Sequence, residues 1–202
     1  TIESDSVGVF VVEHYELNDA WHLEAGLRQE WEKHQPVNDD RGRPQVSDSG
    51  TSLSVGAVWE FTPDYFLDFT AARSQRLPHA QELYARGIHL ATNTYECGLI
   101  PDPLTCGGPE DNATLETETA SNVELTLKKN VGDVTFAVGA FRNDIDDYIY
   151  ARTLDQFEDF RLIKYTQDDA KFTGVEAEAT YRVNEMFAAT VFGGFNTDGV
   201  EA

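Results

Sequence analysis

The sequence has few basic residues and no apolar run long enough for a transmembrane helix. Its 202 residues include 15 Lys and Arg against 36 Asp and Glu, which gives a formal net charge of −21 at pH 7. This balance excludes a nucleic-acid binder that works by phosphate neutralisation, and a basic helix lying on anionic lipid. The opening residues, TIESDSVGVF, also lack the basic and apolar regions of a signal peptide. Strands that alternate in polarity escape hydropathy windows, so a membrane crossing by strands stays open.

Cysteine is scarce as well. The two cysteines, Cys97 and Cys106, lie close together in a segment rich in Gly and Pro. Such a pair predicts a disulfide bond in an oxidising compartment, with reduced thiols or metal thiolates as the alternatives. The chain also contains no P-loop, no H-E-x-x-H helix and no Ser/His/Asp nucleophile motif, so no enzyme is predicted.

Alternation of apolar and polar side chains with a period of two is what the sequence has in abundance. In WHLEAGLRQEWEK, residues 21–33, one face carries Trp21, Leu23, Ala25, Leu27 and Trp31. The pattern recurs in several later segments and is typical of β-sheet. It predicts an all-β, antiparallel fold of about eight strands, at about 7–17, 20–33, 51–62, 64–75, 114–129, 132–147, 160–182 and 185–197.

The connections between these strands alternate between short and long. Tight turns at 17–19, 62–64, 130–133 and 183–185 are separated by long connections at about 34–50, 76–113 and 148–159. Short turns at one end and long loops at the other are typical of a transmembrane β-barrel, with the turns in the periplasm and the loops outside the cell. Aromatic residues near the predicted strand ends would form its interfacial girdles: Trp21, Trp31, Trp59, Phe61, Tyr65, Phe66, Tyr181 and Phe187.

One stretch, RSQRLPHAQELYARGIHLATNTYECG at residues 73–98, fits neither a strand nor a helix throughout. With the later LETETASNVELTL it supplies a set of motif residues: Arg76, Pro78, Glu82, Leu83, Tyr84, Gly87, Tyr95, Glu96, Gly98, Leu115, Glu118, Asn122 and Glu124. On these residues the chain resembles the barrel of TonB-dependent outer-membrane receptors. Within that family, ELYARGIHLATNTYE is most similar to zinc-uptake receptors of the ZnuD type.

The resemblance implies a partner set and a larger molecule. It implies part of a barrel of about 22 strands, in the outer membrane of a Gram-negative cell, in contact with membrane lipid and lipopolysaccharide. A plug domain and a TonB-binding segment do not fit in 202 residues, and both chain ends fall on the extracellular side. We therefore expect a single β-barrel segment over residues 1–202, without the plug.

The function that the resemblance implies is uptake of zinc or a zinc complex, which the extracellular loops capture. Zinc would be the transported ligand, and no cofactor is required. A haem or siderophore receptor is the alternative within the family. From another class, a small eight-stranded structural or adhesive barrel is the alternative, because eight strands can close a barrel; a soluble ligand-binding barrel is a third.

His89 is the first candidate metal ligand, because the resemblance places a metal-binding histidine near it and imidazole nitrogen binds zinc well. A loop histidine that packs against its neighbours is the alternative. His79 is a second candidate, and Glu96 belongs to an acidic cluster with Asp102, Glu110 and Asp111 that could collect cations.

The remaining polar candidates are predicted to be structural. His14 and His22 lie in strands on the polar face, and His34 is predicted to be solvated at a strand end. Glu82 and Arg86 are predicted to form a pair that holds the long loop onto the barrel rim.

Overall fold

The computed structural model describes residues 1–39, 42–100 and 115–201, and it is built almost entirely of strands. In chain order the elements are β1 (Ile2–Asn18), β2 (Trp21–Pro36), β3 (Val46–Thr62), β4 (Tyr65–Arg76), α1 (Ala80–Tyr84), β5 (Arg86–His89), β6 (Thr94–Cys97), β7 (Glu118–Lys129), β8 (Val134–Phe157), β9 (Phe160–Arg182) and β10 (Ala188–Glu201). The all-β prediction is confirmed, and each of the eight predicted strands corresponds to one of the long strands. Within the described residues, no helix has the length and apolarity needed to cross a membrane.

The long strands form one antiparallel meander, in the order β1-β2-β3-β4-β7-β8-β9-β10. The short β5–β6 hairpin joins this sheet at β9, where β6 runs parallel to residues 161–164. Further along β9, residues 169–182 pair with β10. β9 therefore has β8 on one side and, on the other, β10 and β6 at different heights.

One face of the meander is apolar and exposed, and we call it the outer face. Cross-strand partners keep the same character along the sheet: Leu67 lies opposite Leu127, which lies opposite Val138. Many large side chains of this face are exposed, among them Val7, Val9, Val11, Leu27, Leu53, Val55, Phe69, Val123, Leu125, Val138, Val175, Val191 and Phe195. A patch of this extent is unfavourable in water, since exposed apolar area costs about 25 cal/mol per Å². An outward-facing apolar band of this kind is expected where a barrel contacts the hydrocarbon region of a membrane.

An aromatic row crosses the outer face at the tight-turn end. Trp21 stacks on Trp59 with ring centroids 5.3 Å apart. The row continues through Phe61 and Tyr65 to Phe136, with centroid separations of 5.6, 6.2 and 6.2 Å. It forms because these residues lie at matching heights in neighbouring strands. This is the arrangement expected of an interfacial girdle.

The opposite, inner face is polar. Lys128 of β7 forms an ion pair with Asp68 of β4, and His14 of β1 lies 3.0 Å from Glu24 of β2. Carboxylates predominate over bases on this face, and Glu24, Asp68, Glu124, Glu176 and Glu178 all belong to it. The small apolar core lies elsewhere, around the segment that follows β4; it includes Leu77, Leu83, Tyr84, Cys97, Ile149 and Ile163.

The predicted loop bounds differ from the structure. The predicted loop at 148–159 is almost wholly strand, because β8 runs to Phe157 and β9 begins at Phe160. The register in which β8 pairs with β9 shifts at a bulge between Ile145 and Tyr148, and the pairing continues beyond it. In this continued part of β8, Tyr148 stacks on Tyr150. The predicted loop at 34–50 is shortened by β2 and β3, and α1, β5 and β6 occupy part of the predicted loop at 76–113. The ends of β2, β3 and β8 extend beyond the apolar band. The sequence predicts loops there because these ends lack the alternation of apolar and polar residues that the band shows.

Candidate functional site

Residues 77–100, which we call the rim segment, follow β4 in the chain. They extend to β9, where β6 pairs with residues 161–164. Arg76, the last residue of β4, fixes the start of this segment. The guanidinium donates to both carboxylate oxygens of Glu118 at 2.9 and 2.7 Å, and to both oxygens of Glu82 at 3.0 and 2.8 Å. These contacts raise the pKa of Arg76, with the hydrogen bond to Glu118 as the largest cause. One arginine thus ties α1 to β4 and β7.

We call Arg76, Glu82 and Glu118 together the ionic clamp. Each of its two carboxylates also accepts a hydrogen bond from a backbone N–H. Glu82 accepts from His79 at 2.8 Å, at the start of α1. Glu118 accepts from Ile149 of β8, also at 2.8 Å. The predicted structural role of Glu82 is therefore correct in kind, but the described contacts pair it with Arg76 rather than with the predicted Arg86.

The other end of α1 is tied to the β2–β3 connection. The Tyr84 hydroxyl donates to the carbonyl of Pro44 at 2.9 Å and lies 3.3 Å from that of His34. Burial raises the pKa of Tyr84. His34 is 4% exposed, so the prediction that it is solvated is wrong. Its ring bonds Ser4 at 2.7 Å and the carbonyl of Pro78 at 3.2 Å, because the rim segment folds down over the strand end.

Backbone packing explains why the motif needs glycine at Gly98. The amide of Gly98 donates to the carbonyl of Ala85 at 2.7 Å, while Leu83 beside it is completely buried. A Cβ at position 98 would lie 2.3 Å from the carbonyl oxygen of Leu83. Gly87 has a φ of +127°, which side chains rarely adopt. Gly98 and Gly87 thus shape the backbone of the rim segment.

His89 and Glu96 meet across the β5–β6 hairpin. His89 Nδ1 lies 3.1 Å from Glu96 Oε1 and 2.8 Å from Thr92 Oγ1. The Thr94 hydroxyl donates to the same Glu96 oxygen at 3.2 Å. Gln81 of α1 donates to the other oxygen, Oε2, at 2.9 Å.

Tyr165 of β9 lies behind this pair. Its hydroxyl is 3.4 Å from Gln81 Nε2. Burial raises the pKa of Tyr165, and the charges of Glu96 and Glu82 raise it further. The cluster of His89, Thr92, Thr94, Glu96, Gln81 and Tyr165 is therefore a continuous polar network, which we call the hairpin cluster.

The described side chains do not assemble a complete metal site. Within residues 1–39, 42–100 and 115–201, no group of three or more His, Cys, Asp and Glu is arranged to hold an ion. His79, His89 and Glu96 thus do not converge on one point. His79 is exposed at the start of α1, whereas His89 and Glu96 belong to the hairpin.

Some predicted residues lie outside the described part of the chain. Cys97 is completely buried in β6, but its predicted partner Cys106 is one of them, so the disulfide bond stays a prediction. Asp102, Glu110 and Asp111 of the predicted acidic cluster are others. The later motif residues Asn122 and Glu124 lie on β7, where Glu124 accepts a hydrogen bond from Thr126 at 2.9 Å.

Sequence reasoning did not find Gln81, Thr92, Thr94 or Tyr165. The hydroxyls of Thr92 and Thr94 lie 2.6 Å apart and two residues from Glu96, so the alternation in TNTYE was a local signal. Gln81 and Tyr165 are 84 residues apart, and only the crossing of the rim segment brings them together.

Comparison with known proteins gives a family match over the whole chain. A family model described as "TonB dependent receptor-like, beta-barrel" matches residues 1–202. Among solved structures, the copper transporter OprC has a TM-score of 0.78 at 14% identity, covering 98% of this chain and 29% of OprC. The FrpB iron transporter from Neisseria meningitidis, as the F5-1 variant apoprotein, has a TM-score of 0.67 at 20% identity, covering 98% and 26%.

A third similar structure is the hemophore receptor HasR of Serratia marcescens, a double mutant in complex with its hemophore HasA and heme. It has a TM-score of 0.70 at 15% identity, covering 94% of this chain and 33% of HasR. At these identities the likeness concerns the fold alone. The chain spans between a quarter and a third of the length of these three structures.

Proposed function

This chain belongs to the TonB-dependent receptor-like β-barrel family, and from that premise we propose that it serves uptake of zinc or a zinc complex across the outer membrane. Proteins of this family are receptors and transporters rather than enzymes, and they need no cofactor of their own. The family lies in the Gram-negative outer membrane and works with TonB. In the proposal, the long strands span the membrane and the rim segment captures the ligand.

The pairing of His89 with Glu96 is the observation that carries the zinc proposal. Imidazole nitrogen is a good zinc ligand at neutral pH. The His89 side chain is 49% exposed, so solvent can reach it. The ionic clamp at Arg76 and the hydrogen bonds of Tyr84 hold the surrounding backbone in place. A ligand would therefore meet a donor that is already positioned.

The charge of the chain supports a cationic ligand. The net charge is −21, and Glu124, Glu176 and Glu178 border a depression of about 590 Å³ on the inner face. Carboxylates that line a concave surface raise the local concentration of cations. They would favour movement of a metal ion from the rim into the barrel.

The test is zinc titration of the full-length protein by calorimetry, with His89→Ala as the variant. We expect the variant to lose most of the zinc affinity of the tightest site. His22→Ala is the matched control, because His22 is an exposed histidine of β2 away from the hairpin. Equal affinity of the wild-type and His89→Ala proteins would remove His89 from the site.

A haem or siderophore ligand is the second candidate. Tyr148 stacks on Tyr150 at 6.3 Å and meets Phe172 edge-on at 6.1 Å, which gives a group of aromatic rings on neighbouring strands. Aromatic rings suit a planar organic ligand. Tight binding of haem without zinc binding would favour this candidate. We also propose the Cys97–Cys106 disulfide, which peptide mapping under non-reducing conditions tests.

A further inference from the structure

Three basic side chains lie on the outer face at the loop end of the apolar band, and we call Arg73, Arg142 and Lys171 the outer basic patch. Arg73 of β4 lies opposite Leu53, the last large apolar residue of the band on β3. Arg142 of β8 lies opposite Val123 of β7, and Lys171 belongs to the next strand, β9. All three bases are exposed.

The outer basic patch lies one band height away from the aromatic row. Arg73 is eight residues beyond Tyr65 of that row. Lys171 lies opposite Asp144, which is eight residues beyond Phe136. Eight steps of about 3.3 Å, tilted by about 40°, give a height of about 20 Å. The patch is therefore at the opposite interface, where charged side chains on a lipid-facing strand cost least and long basic side chains reach the headgroups.

The charge of the patch has the opposite sign to that of the chain, whose net charge is −21. From the aromatic row to the patch, the outer face of β3, β4, β7, β8 and β9 carries one carboxylate, Asp144. Arg142 donates to it at 2.6 and 3.0 Å, and Lys171 Nζ lies 3.7 Å from it. Within the described part of the chain, the guanidinium of Arg73 has no hydrogen-bond or ion-pair partner. Three bases and one carboxylate leave a net positive charge for an anion to neutralise.

A shallow depression of about 290 Å³ lies beside Arg73 on the outer face. Its outer-face lining combines the small side chains of Ala71 and Ser121 with the apolar Leu53, Val55 and Val123. Arg73 and Ser121 lie opposite each other at its loop end. A hydrocarbon chain that fills this depression would bring the anionic headgroup attached to it up to Arg73.

We propose that the outer basic patch binds a phosphate group of lipopolysaccharide, with an acyl chain of the same molecule in the depression beside Arg73. A guanidinium binds phosphate through two parallel hydrogen bonds, which a neutral headgroup cannot match. The loop end of the barrel meets the outer leaflet, so the phosphate belongs to a lipid of that leaflet. The inference goes beyond the uptake proposal and is independent of the transported ligand.

Lipid titration of the full-length protein in detergent, followed by native mass spectrometry, tests the inference. The probes are lipid A with two phosphates and the same lipid with its phosphates removed. We expect Arg73→Gln to weaken binding of the phosphorylated lipid about fivefold, and Arg73→Gln with Lys171→Gln about 25-fold. Arg28→Gln is the matched control, because it removes an exposed guanidinium from the inner face; its affinity should equal that of wild type.

Asp144→Asn is expected to change the affinity in the opposite direction. The substitution removes the carboxylate that Arg142 and Lys171 share, so both bases become available to the phosphate. We expect phosphorylated lipid A to bind several-fold more tightly than to wild type. A variant that merely disturbed the surface would bind more weakly, so the sign of the change separates charge from structural damage.

Three results would overturn the inference. Unchanged affinity in Arg73→Gln and in the double variant would remove the patch from the site. Equal binding of lipid A with and without phosphate would leave only apolar contact. If phosphatidylglycerol binds as tightly and responds equally to the substitutions, the assignment to lipopolysaccharide is wrong. The zinc titration of His89→Ala is a separate measurement, so failure of the uptake proposal is distinguishable from failure of this one.

Discussion

Gly98 has the least room of the motif residues in the rim segment. A Cβ there would lie 2.3 Å from the carbonyl oxygen and 2.6 Å from the carbonyl carbon of Leu83, and 2.8 Å from the amide nitrogen of Ala85. All three are backbone atoms of α1 and its end, so no side-chain rotation relieves the clash. The glycine is required by packing against the helix, not by its φ angle.

Gly98→Ala is therefore expected to displace the rim segment. Overpacking of this kind costs about 1–3 kcal/mol or more. We expect faster proteolysis of the rim segment in the folded full-length protein. Gly193→Ala is the control, because a Cβ at position 193 would meet no atom within 4 Å. Equal proteolysis of the two variants would show that the segment tolerates the added methyl group.

At the scale of elements, the ionic clamp joins α1 to the barrel wall. Arg76 is the only group that contacts both Glu82 and Glu118 in the described hydrogen bonds. Lysine offers a single ammonium group and cannot reproduce two bidentate contacts. The rim segment is then held at its start by fewer bonds, while the strands below remain paired.

We expect Arg76→Lys to increase hydrogen exchange in β5 and β6 without unfolding the barrel. The cost is about 1–2 kcal/mol, since Arg76 retains 36% side-chain exposure that weakens the charge interactions. Mass spectrometry of peptides covering residues 86–97 measures the effect. Arg73→Lys makes the same chemical change on β4, at a position that faces outward. Exchange that rises equally in both variants would show that the clamp has no special role.

The elements differ in how much of them the sequence predicted. The long strands were predictable because one face contacts hydrocarbon, which imposes alternation on the residues of each strand. The predicted strand at 160–182 agrees with β9, but the upper part of β8, beyond residue 147, is not predicted, since a bulge near Asp146 shifts the register there. The Glu82 partner was missed for a related reason: Arg76 and Arg86 are both near in sequence, and only the fold selects Arg76.

The hairpin cluster shows the same limit. His89 and Glu96 were both candidates, because their types suit metal binding. Their side chains differ in exposure, and α1 brings Gln81 to Glu96 alone. This difference cannot be predicted from the sequence, because side-chain exposure cannot be read from a loop that lacks alternation.

At the scale of the whole molecule, the polarity of the two faces of the sheet indicates which face contacts lipid and which contacts water. The outer apolar band on β3 runs from Leu53 to Phe61. Eight residue steps of about 3.3 Å, tilted by about 40°, give a height of about 20 Å. This is close to the apolar band of outer-membrane barrels. A soluble barrel of the same strands would place that band inside and the charged face outside.

Neighbouring positions on β7 distinguish these two orientations. Val123 is 48% exposed on the outer face, and Asn122 belongs to the inner face. We expect a spin label at Val123→Cys to collide often with oxygen, which concentrates in lipid, when the full-length protein is in bilayers. A label at Asn122→Cys should collide with oxygen much less. The parent protein, treated with the same reagent, corrects for any label on Cys97 or Cys106. Greater oxygen collision at Asn122 than at Val123 would invert the sheet and with it the membrane assignment.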